Sequence, residues 1–215
     1  ASGTSVTLTA AAAAGSTFAG WSGACSGTGN CTVSMTAARS VTATFNTVSY
    51  ALSVSKSGAG SGTVSSSPAG ISCGSTCSAN YASGTSVTLT AAAAAGSTFA
   101  GWSGACSGTG TCTVSMTAAR SVTASFNSVS YALSVSKGGL GTGTVTSSPA
   151  GISCGSTCSA NYASGTSVTL TAAAAAGSTF AGWSGACSGT GTCTVSMTAA
   201  RSVTATFTSV SYALS

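Results

Sequence analysis

The sequence predicts an all-β fold made of tandem, disulfide-stapled modules that repeat with a period of 81. Three observations support this prediction: a segment that recurs at a constant interval, hydrophobic residues that alternate with Ser and Thr, and ten cysteines in a chain without histidine. With 215 residues, the chain has room for one large domain or for two to three small ones.

The repeat is visible in the segment ASGTSVTLTA, which begins at Ala1, Ala82 and Ala163. Residues 50–130 and 131–211 are identical except at six positions. The pairs that differ are Ser57/Gly138, Ala59/Leu140, Ser61/Thr142, Ser65/Thr146, Ser125/Thr206 and Asn127/Thr208. We therefore predict that residues 1–49 are the C-terminal part of one module, that 50–130 and 131–211 are complete modules, and that 212–215 begin another. We also expect the chain to be a section of a longer array.

Alternation with a period of two runs through each module. Val87 and Leu89 alternate with Ser and Thr, as do Val114 and Met116. The same pattern occurs at Val122, Ala124 and Phe126 and at Tyr50, Leu52 and Val54. This pattern is typical of half-buried antiparallel strands. Gly-, Ser- and Thr-rich clusters supply the turns, and the run Ala91 to Ala95 is too short for a helix, so we expect a strand end or loop there.

The inward positions change parity where two modules meet. Val41, Ala43 and Phe45 are odd-numbered, whereas Val48 and Tyr50 are even-numbered. A shift of one residue sends side chains to the opposite face of a strand. We expect the chain to leave one core and enter the next here, with restricted motion between neighbouring modules because the junction is so short.

Composition excludes most chemistry. The sequence has no Asp, Glu or His, and its charge of +5 comes from five residues, Arg39, Lys56, Arg120, Lys137 and Arg201. General acid–base catalysis, activated hydroxyl nucleophiles and calcium or magnesium sites all lack their usual groups. The charge is too dilute for nucleic acid, and no apolar run is long enough to cross a membrane. We predict no enzyme activity, no catalytic residue, no cofactor and no nucleic-acid partner.

The ten cysteines predict disulfides and an oxidising compartment outside the cytoplasm. A zinc site with four thiolates per module is the alternative, but the spacings fit paired zinc knuckles poorly, so we predict no metal. Four cysteines allow three pairings, and we favour the local ones, which close small glycine-containing loops. The expected bridges are Cys25–Cys31, Cys73–Cys77, Cys106–Cys112, Cys154–Cys158 and Cys187–Cys193.

The stretch GWSGACSGTGTC, from Gly101 to Cys112, has one aromatic residue, Trp102. This tryptophan could stack against a sugar, but in so small a module we favour a core position beside Phe99. The same interpretation applies to each copy of the motif. The expected core anchors are Phe18, Trp21, Phe99, Trp102, Phe180 and Trp183.

The segments GSTFAGWSGACSGTGTCTVSM and GISCGSTCSANY, together with the constant period of the repeats, resemble the divergent internalin-type B-repeats, also called Listeria–Bacteroides repeats. The resemblance covers the whole chain. It implies a small module of β-grasp-like or β-sandwich type that serves as a stalk, spacer or adhesive repeat on bacterial surface and secreted proteins. The family has no catalytic residues that could be transferred to this sequence.

We therefore expect an extracellular structural protein of a bacterial cell surface that forms a stalk or a fibre. The alternative is a cell-adhesion module that binds glycans or a host surface. Strands with so few charges have little protection against edge-to-edge pairing, so we also expect self-association with identical or neighbouring modules, and filaments.

Overall fold

The computed structural model describes residues 3–211. These residues form eighteen β-strands and no helix, arranged in two compact units. The first unit runs to Ser57 and adds Gly62–Ala92 and Phe99–Ser125. The second comprises Gly58–Ser61, Ala93–Thr98 and the chain from Phe126 onward.

The first repeat, which is incomplete, forms two separate two-stranded antiparallel sheets. One sheet pairs β1 with β3, and the other pairs β2 with β4. The strands are β1 Ser5–Leu8, β2 Ser16–Gly23, β3 Cys31–Ser34 and β4 Val41–Thr47.

The second repeat forms a three-stranded and a four-stranded sheet. Its strands are β5 Ser49–Ser57, β6 Gly62–Ser67, β7 Ser78–Ala82, β8 Ser86–Ala93, β9 Ser97–Gly104, β10 Cys112–Ser115 and β11 Arg120–Ser128. The sheet orders are β10-β8-β6 and β7-β5-β11-β9. Strands β5 and β11 are parallel, with Leu52 opposite Arg120, so the two ends of the repeat meet at the centre of the larger sheet.

The third repeat has the same topology. Its strands are β12 Ser130–Gly138, β13 Gly143–Ser148, β14 Ser159–Ala163, β15 Ser167–Ala174, β16 Ser178–Gly185, β17 Cys193–Ser196 and β18 Arg201–Ser209. The sheet orders are β13-β15-β17 and β14-β12-β18-β16. A single core cluster contains residues of both sheets, among them Leu133, Val145, Leu170 and Phe207, so the two sheets enclose one core.

The alternation in the sequence accounts for these strands. In β11, Val122, Ala124 and Phe126 are buried, whereas the intervening Thr123 and Ser125 are partly exposed. The run of alanines behaves likewise as a strand end, because β8 continues to Ala93. The predicted all-β fold of tandem, disulfide-linked repeats is confirmed.

The parity change is also present within the first unit. Strand β4 half-buries the odd-numbered Val41 and Ala43, and β5 buries the even-numbered Leu52 and Val54. Between them stands one residue, Val48, which belongs to neither strand. The predicted start of a further module at 212–215 lies outside the described residues. Within 3–211, no helix is long and apolar enough to cross a membrane.

Candidate functional site

The motif from Gly101 to Cys112 forms a corner between the two sheets of the second repeat. Strand β9 ends at Gly104, a loop follows, and β10 begins at Cys112. A disulfide joins Cys106 to Cys112, with 5.7 Å between their Cα atoms. The loop therefore starts and ends at fixed points.

Trp102 connects this loop to the core. Its side chain is 5% exposed, and its backbone N–H donates to the Gly108 carbonyl over 2.7 Å. The indole Nε1–H donates to the Gly110 carbonyl over 2.9 Å. The ring of Phe99 meets the indole edge-on, with centroids 5.0 Å apart. Because the side chain is buried and its only donor is engaged, this tryptophan presents no open ring face on which a sugar could stack.

The same corner occurs in each repeat. Trp183 is 5% exposed and donates to the Gly191 carbonyl over 2.9 Å, with Phe180 at 4.9 Å. In the incomplete repeat, Trp21 makes the corresponding bond to Gly29 over 2.7 Å but is only half-buried. Among the six sequence-predicted anchors, the structure buries Trp102 and Trp183 and leaves Trp21 and the three phenylalanines Phe18, Phe99 and Phe180 partly exposed.

A pocket of about 310 Å³ lies beside the corner of the second repeat, and the identical residues of the third repeat line one of about 200 Å³. The first pocket is lined by Leu89, Thr90, Ala91, Phe99, Trp102, Thr109, Gly110 and Thr111. Its polar groups are hydroxyls and backbone amides, and no charged side chain contributes. Such a lining offers hydrogen bonds to a neutral ligand but no group that could catalyse a reaction.

A second disulfide corner covers an edge of the smaller sheet. Cys73 is fully buried and bonded to Cys77, with 4.3 Å between their Cα atoms. The backbone N–H of Cys73 donates to the Val64 carbonyl over 2.7 Å, and that of Ser66 donates to the Ile71 carbonyl over 3.0 Å. The chain before the disulfide therefore occupies the outer edge of β6, which would otherwise be open.

The junction residue Val48 is bonded on both sides. Its N–H donates to the Gly15 carbonyl over 2.8 Å, and its carbonyl accepts from the Ser83 N–H over 2.8 Å. All three residues lie in the first unit. Gly15 belongs to the first repeat and Ser83 to the second, so one residue ties both repeats together.

The same arrangement is present in the second unit. Val129 donates to the Gly96 carbonyl over 2.8 Å and accepts from the Ser164 N–H over 2.8 Å. The sequence marked this junction only through its parity change. The glycine that receives the valine N–H follows the alanine run in every repeat, and its φ is positive, +79° at Gly15 and +73° at Gly96. That glycine was the signal available in the sequence.

All ten cysteines form the local pairs, which are Cys25–Cys31, Cys73–Cys77, Cys106–Cys112, Cys154–Cys158 and Cys187–Cys193. Among residues 3–211, no group of three or more potential ligands is placed to hold a metal ion.

Comparison with protein families gives a match along almost the whole chain. The model described as the divergent InlB B-repeat domain matches residues 1–49, 52–130 and 131–211. The match confirms the resemblance drawn from the motifs. No curated protein sequence matches the chain significantly.

Three solved structures are similar in part. The Bacillus anthracis TIE protein is 10% identical with a TM-score of 0.47, over 85% of this chain and 39% of that one. The major pilin T-13 of Streptococcus pyogenes is 9% identical with a TM-score of 0.39, over 75% and 97%. The minor pilin GBS52 of Streptococcus agalactiae is 6% identical with a TM-score of 0.27, over 77% and 98%. We draw no argument from likenesses this weak. The chain spans well under two thirds of the TIE protein.

Proposed function

The chain belongs to the divergent InlB B-repeat family, and on that premise we propose that it is a structural segment of an extracellular bacterial surface protein, a stalk in which identical repeats follow one another in series. Residues 50–130 and 131–211 are the complete repeats of this segment, and residues 1–49 are the C-terminal part of another.

The junction at Val48 is the observation that carries this proposal. A link of one residue, hydrogen-bonded to the repeat before it and to the repeat after it, removes the freedom that a flexible linker would give. A protein that only needed to tether independent binding domains would gain nothing from such a junction. A stalk requires it, because its length depends on each repeat keeping its place.

Composition supports a role without catalysis. The sequence contains no Asp, Glu or His, and its ten cysteines are all paired. The pairing also supports an oxidising location outside the cytoplasm, since such bridges are reduced in most cytosols. Disulfides suit a small module that depends on a modest core.

Self-association is part of the proposal and would use the edges that remain uncovered. Strands β7 and β10 stand at the ends of their sheets in the second repeat. Neither strand contains a charged residue. Exposed edges without charge are the usual place for pairing between chains. Both edges are short, five and four residues, so we expect lateral contacts that are weak singly and additive along an array.

Small-angle X-ray scattering on arrays of two, four and six repeats tests the stalk. We expect the maximum dimension to rise by a constant increment per repeat. As a matched control, arrays carrying about eight Gly and Ser residues after each junction valine should be more flexible and scatter as jointed chains. If arrays with and without the insertion scatter alike, the stalk proposal is wrong.

The pocket beside Trp102 favours a second candidate, adhesion to a neutral glycan. Its hydroxyl lining recurs in the third repeat, which would give two sites per chain. A glycan array should then give saturable binding that Thr109→Ala with Thr190→Ala weakens and that Ser125→Ala, a change outside the pocket, does not. Without saturable binding, adhesion through this pocket is excluded.

A further inference from the structure

The incomplete first repeat exposes residues that are buried in the complete ones. Val6 is 39% exposed and Phe45 is 45% exposed, whereas their equivalents Val87 and Phe126 are 0% and 1% exposed. Leu8, Val41 and Ala43 are likewise partly exposed, although their equivalents are buried. We call Val6, Leu8, Val41, Ala43 and Phe45 the open face.

The strands that bear the open face are also shorter than their counterparts. Strand β1 has four residues, Ser5–Leu8, whereas the equivalent β8 has eight, Ser86–Ala93. Strand β4 has seven residues and the equivalent β11 has nine. Isolated two-stranded sheets are marginally stable in water, so these strands lack the neighbours that extend them elsewhere.

The second repeat shows what covers this face. Strand β5 pairs in parallel with β11, placing Val54 opposite Val122. Strand β6 stands beside β8 in the smaller sheet. The buried side chains that these two strands contribute are Leu52, Val54 and Val64. All three belong to the N-terminal part of the repeat, 50–81, which we call the donor segment.

We propose that the open face is a binding site for a donor segment, that is, for an extended polypeptide with the sequence of residues 50–81, bound by β-strand addition. Its first strand would lie parallel to β4 and its second strand beside β1. The bound segment would bury the open face and lengthen both acceptor strands.

The acceptor matches the donor segment closely. Residues 1–49 differ from 82–130 at three positions, Asn30/Thr111, Thr44/Ser125 and Thr47/Ser128. None of the three lies on the open face. Thr44 retains the hydroxyl through which Ser125 pairs with Ser57 over 2.7 Å, so the donor hydroxyl would still find a partner. The site therefore differs from a completed module only in lacking the donor.

The tryptophans provide a selective signal. The donor segment contains no tryptophan. Trp102 and Trp183 are already 5% exposed, whereas Trp21 is half-buried. Completion of the first repeat would bury Trp21 and leave the other two unchanged, so a shift of emission to shorter wavelength reports on the open face.

The test titrates a synthetic polypeptide of residues 50–81, with Cys73 and Cys77 oxidised, into the whole chain. We expect saturable binding of one donor per chain by calorimetry, together with the emission shift. A donor with Leu52→Ser, Val54→Ser and Val64→Ser should bind at least about 100-fold more weakly, because it lacks the buried side chains.

A chain with Trp21→Phe separates the site from strand exchange elsewhere. It should bind the donor but lose the emission shift. No saturable binding, equal binding by the triple-serine donor, or an undiminished shift in the Trp21→Phe chain would each overturn the proposal. None of these results bears on the stalk, which depends on the junction valines and not on the open face.

Discussion

Trp102 holds the loop, the core and strand β9 together at one point. Because its ring is buried, Trp102→Ala should lower the free energy of unfolding by about 3–5 kcal/mol. Trp102→Phe keeps most of the ring but loses the bond from Nε1 to Gly110, and should cost about 1–2 kcal/mol. Chemical denaturation followed by circular dichroism measures both. Trp21→Ala is the comparison and should cost less, since Trp21 is half-buried. Equal losses at Trp21 and Trp102 would contradict the assigned burial.

Gly104 is a position where a side chain does not fit. Its φ is +95°, and a Cβ there would lie 2.5 Å from the Ser121 carbonyl oxygen. Gly104→Ala should therefore cost more than about 1 kcal/mol, from backbone strain and the clash together. Gly110→Ala is the matched control, because a Cβ at Gly110 meets nothing within 4 Å, and it should stay within about 0.5 kcal/mol of the parent chain. Thermal unfolding of the two variants gives the comparison, and a neutral Gly104→Ala would show that β9 and β11 can separate at this point.

At the scale of elements, the disulfide loops cover sheet edges. The chain next to Cys73 is bonded to the outer edge of β6 at two carbonyl–amide pairs, and the loop closed by Cys106 and Cys112 is bonded to β9 through Gly108. A chain with few charges cannot protect these strands with lysines in the usual way. Covalently closed loops take over part of that role, so the disulfides protect edges as well as stabilise the fold.

Removing one bridge tests this second role. Cys73→Ala with Cys77→Ala should lower the free energy of unfolding by about 2 kcal/mol on the chain-entropy model for a small loop. The variant should also aggregate faster on mild heating, because the outer edge of β6 is released. Cys106→Ala with Cys112→Ala serves as the control: it should cost a similar free energy but promote aggregation less, since its loop is bonded to β9 at one point. Light scattering during heating distinguishes the two variants, and equal aggregation would argue against edge protection by the Cys73 loop.

Much of the element structure could be predicted from the sequence. Alternation placed Val87, Leu89 and Val122 on inward faces because burial in a two-sided strand has a period of two. Alternation could not predict that β5 pairs in parallel with β11, since strand order depends on contacts between positions far apart in the chain, such as Leu52 and Arg120. The partial exposure of Phe99 was also hidden, because an aromatic residue at a strand edge has the same local sequence as one in a core.

At the scale of the whole molecule, the surface is covered with paired hydroxyls. On the central strands, Ser55 bonds to Thr123 over 2.8 Å and Ser57 bonds to Ser125 over 2.7 Å. The corresponding pair Ser136 and Thr204 is also 2.8 Å apart. Cross-strand hydroxyl pairs stabilise a sheet without charge. This surface gives weak long-range repulsion between chains, which is the condition under which edge contacts can form.

Charge placed on the uncovered edges tests self-association. Asn80→Lys in β7 with Thr113→Lys in β10 should reduce association, because lysines on edge strands oppose pairing between chains. Both side chains are exposed, so the fold should tolerate them. Ser121→Lys with Ser55→Lys, on strands inside the larger sheet, adds the same charge and should reduce association less. Sedimentation velocity across a range of concentrations measures the effect. Monomeric parent chains at every concentration would remove self-association and leave the stalk in place.

The measurement that tests the central claim most directly is amide hydrogen exchange at the junction. If repeats are joined in series through one bonded residue, the amides of Val48 and Ser83 should exchange within about tenfold of the Val54 amide, which lies in β5 and donates to the Cys77 carbonyl. The amides of Val129 and Ser164 should behave in the same way. Exchange at all four junction amides near the rate of an unstructured chain, with Val54 still protected, would show that the repeats are flexibly linked and would contradict the account.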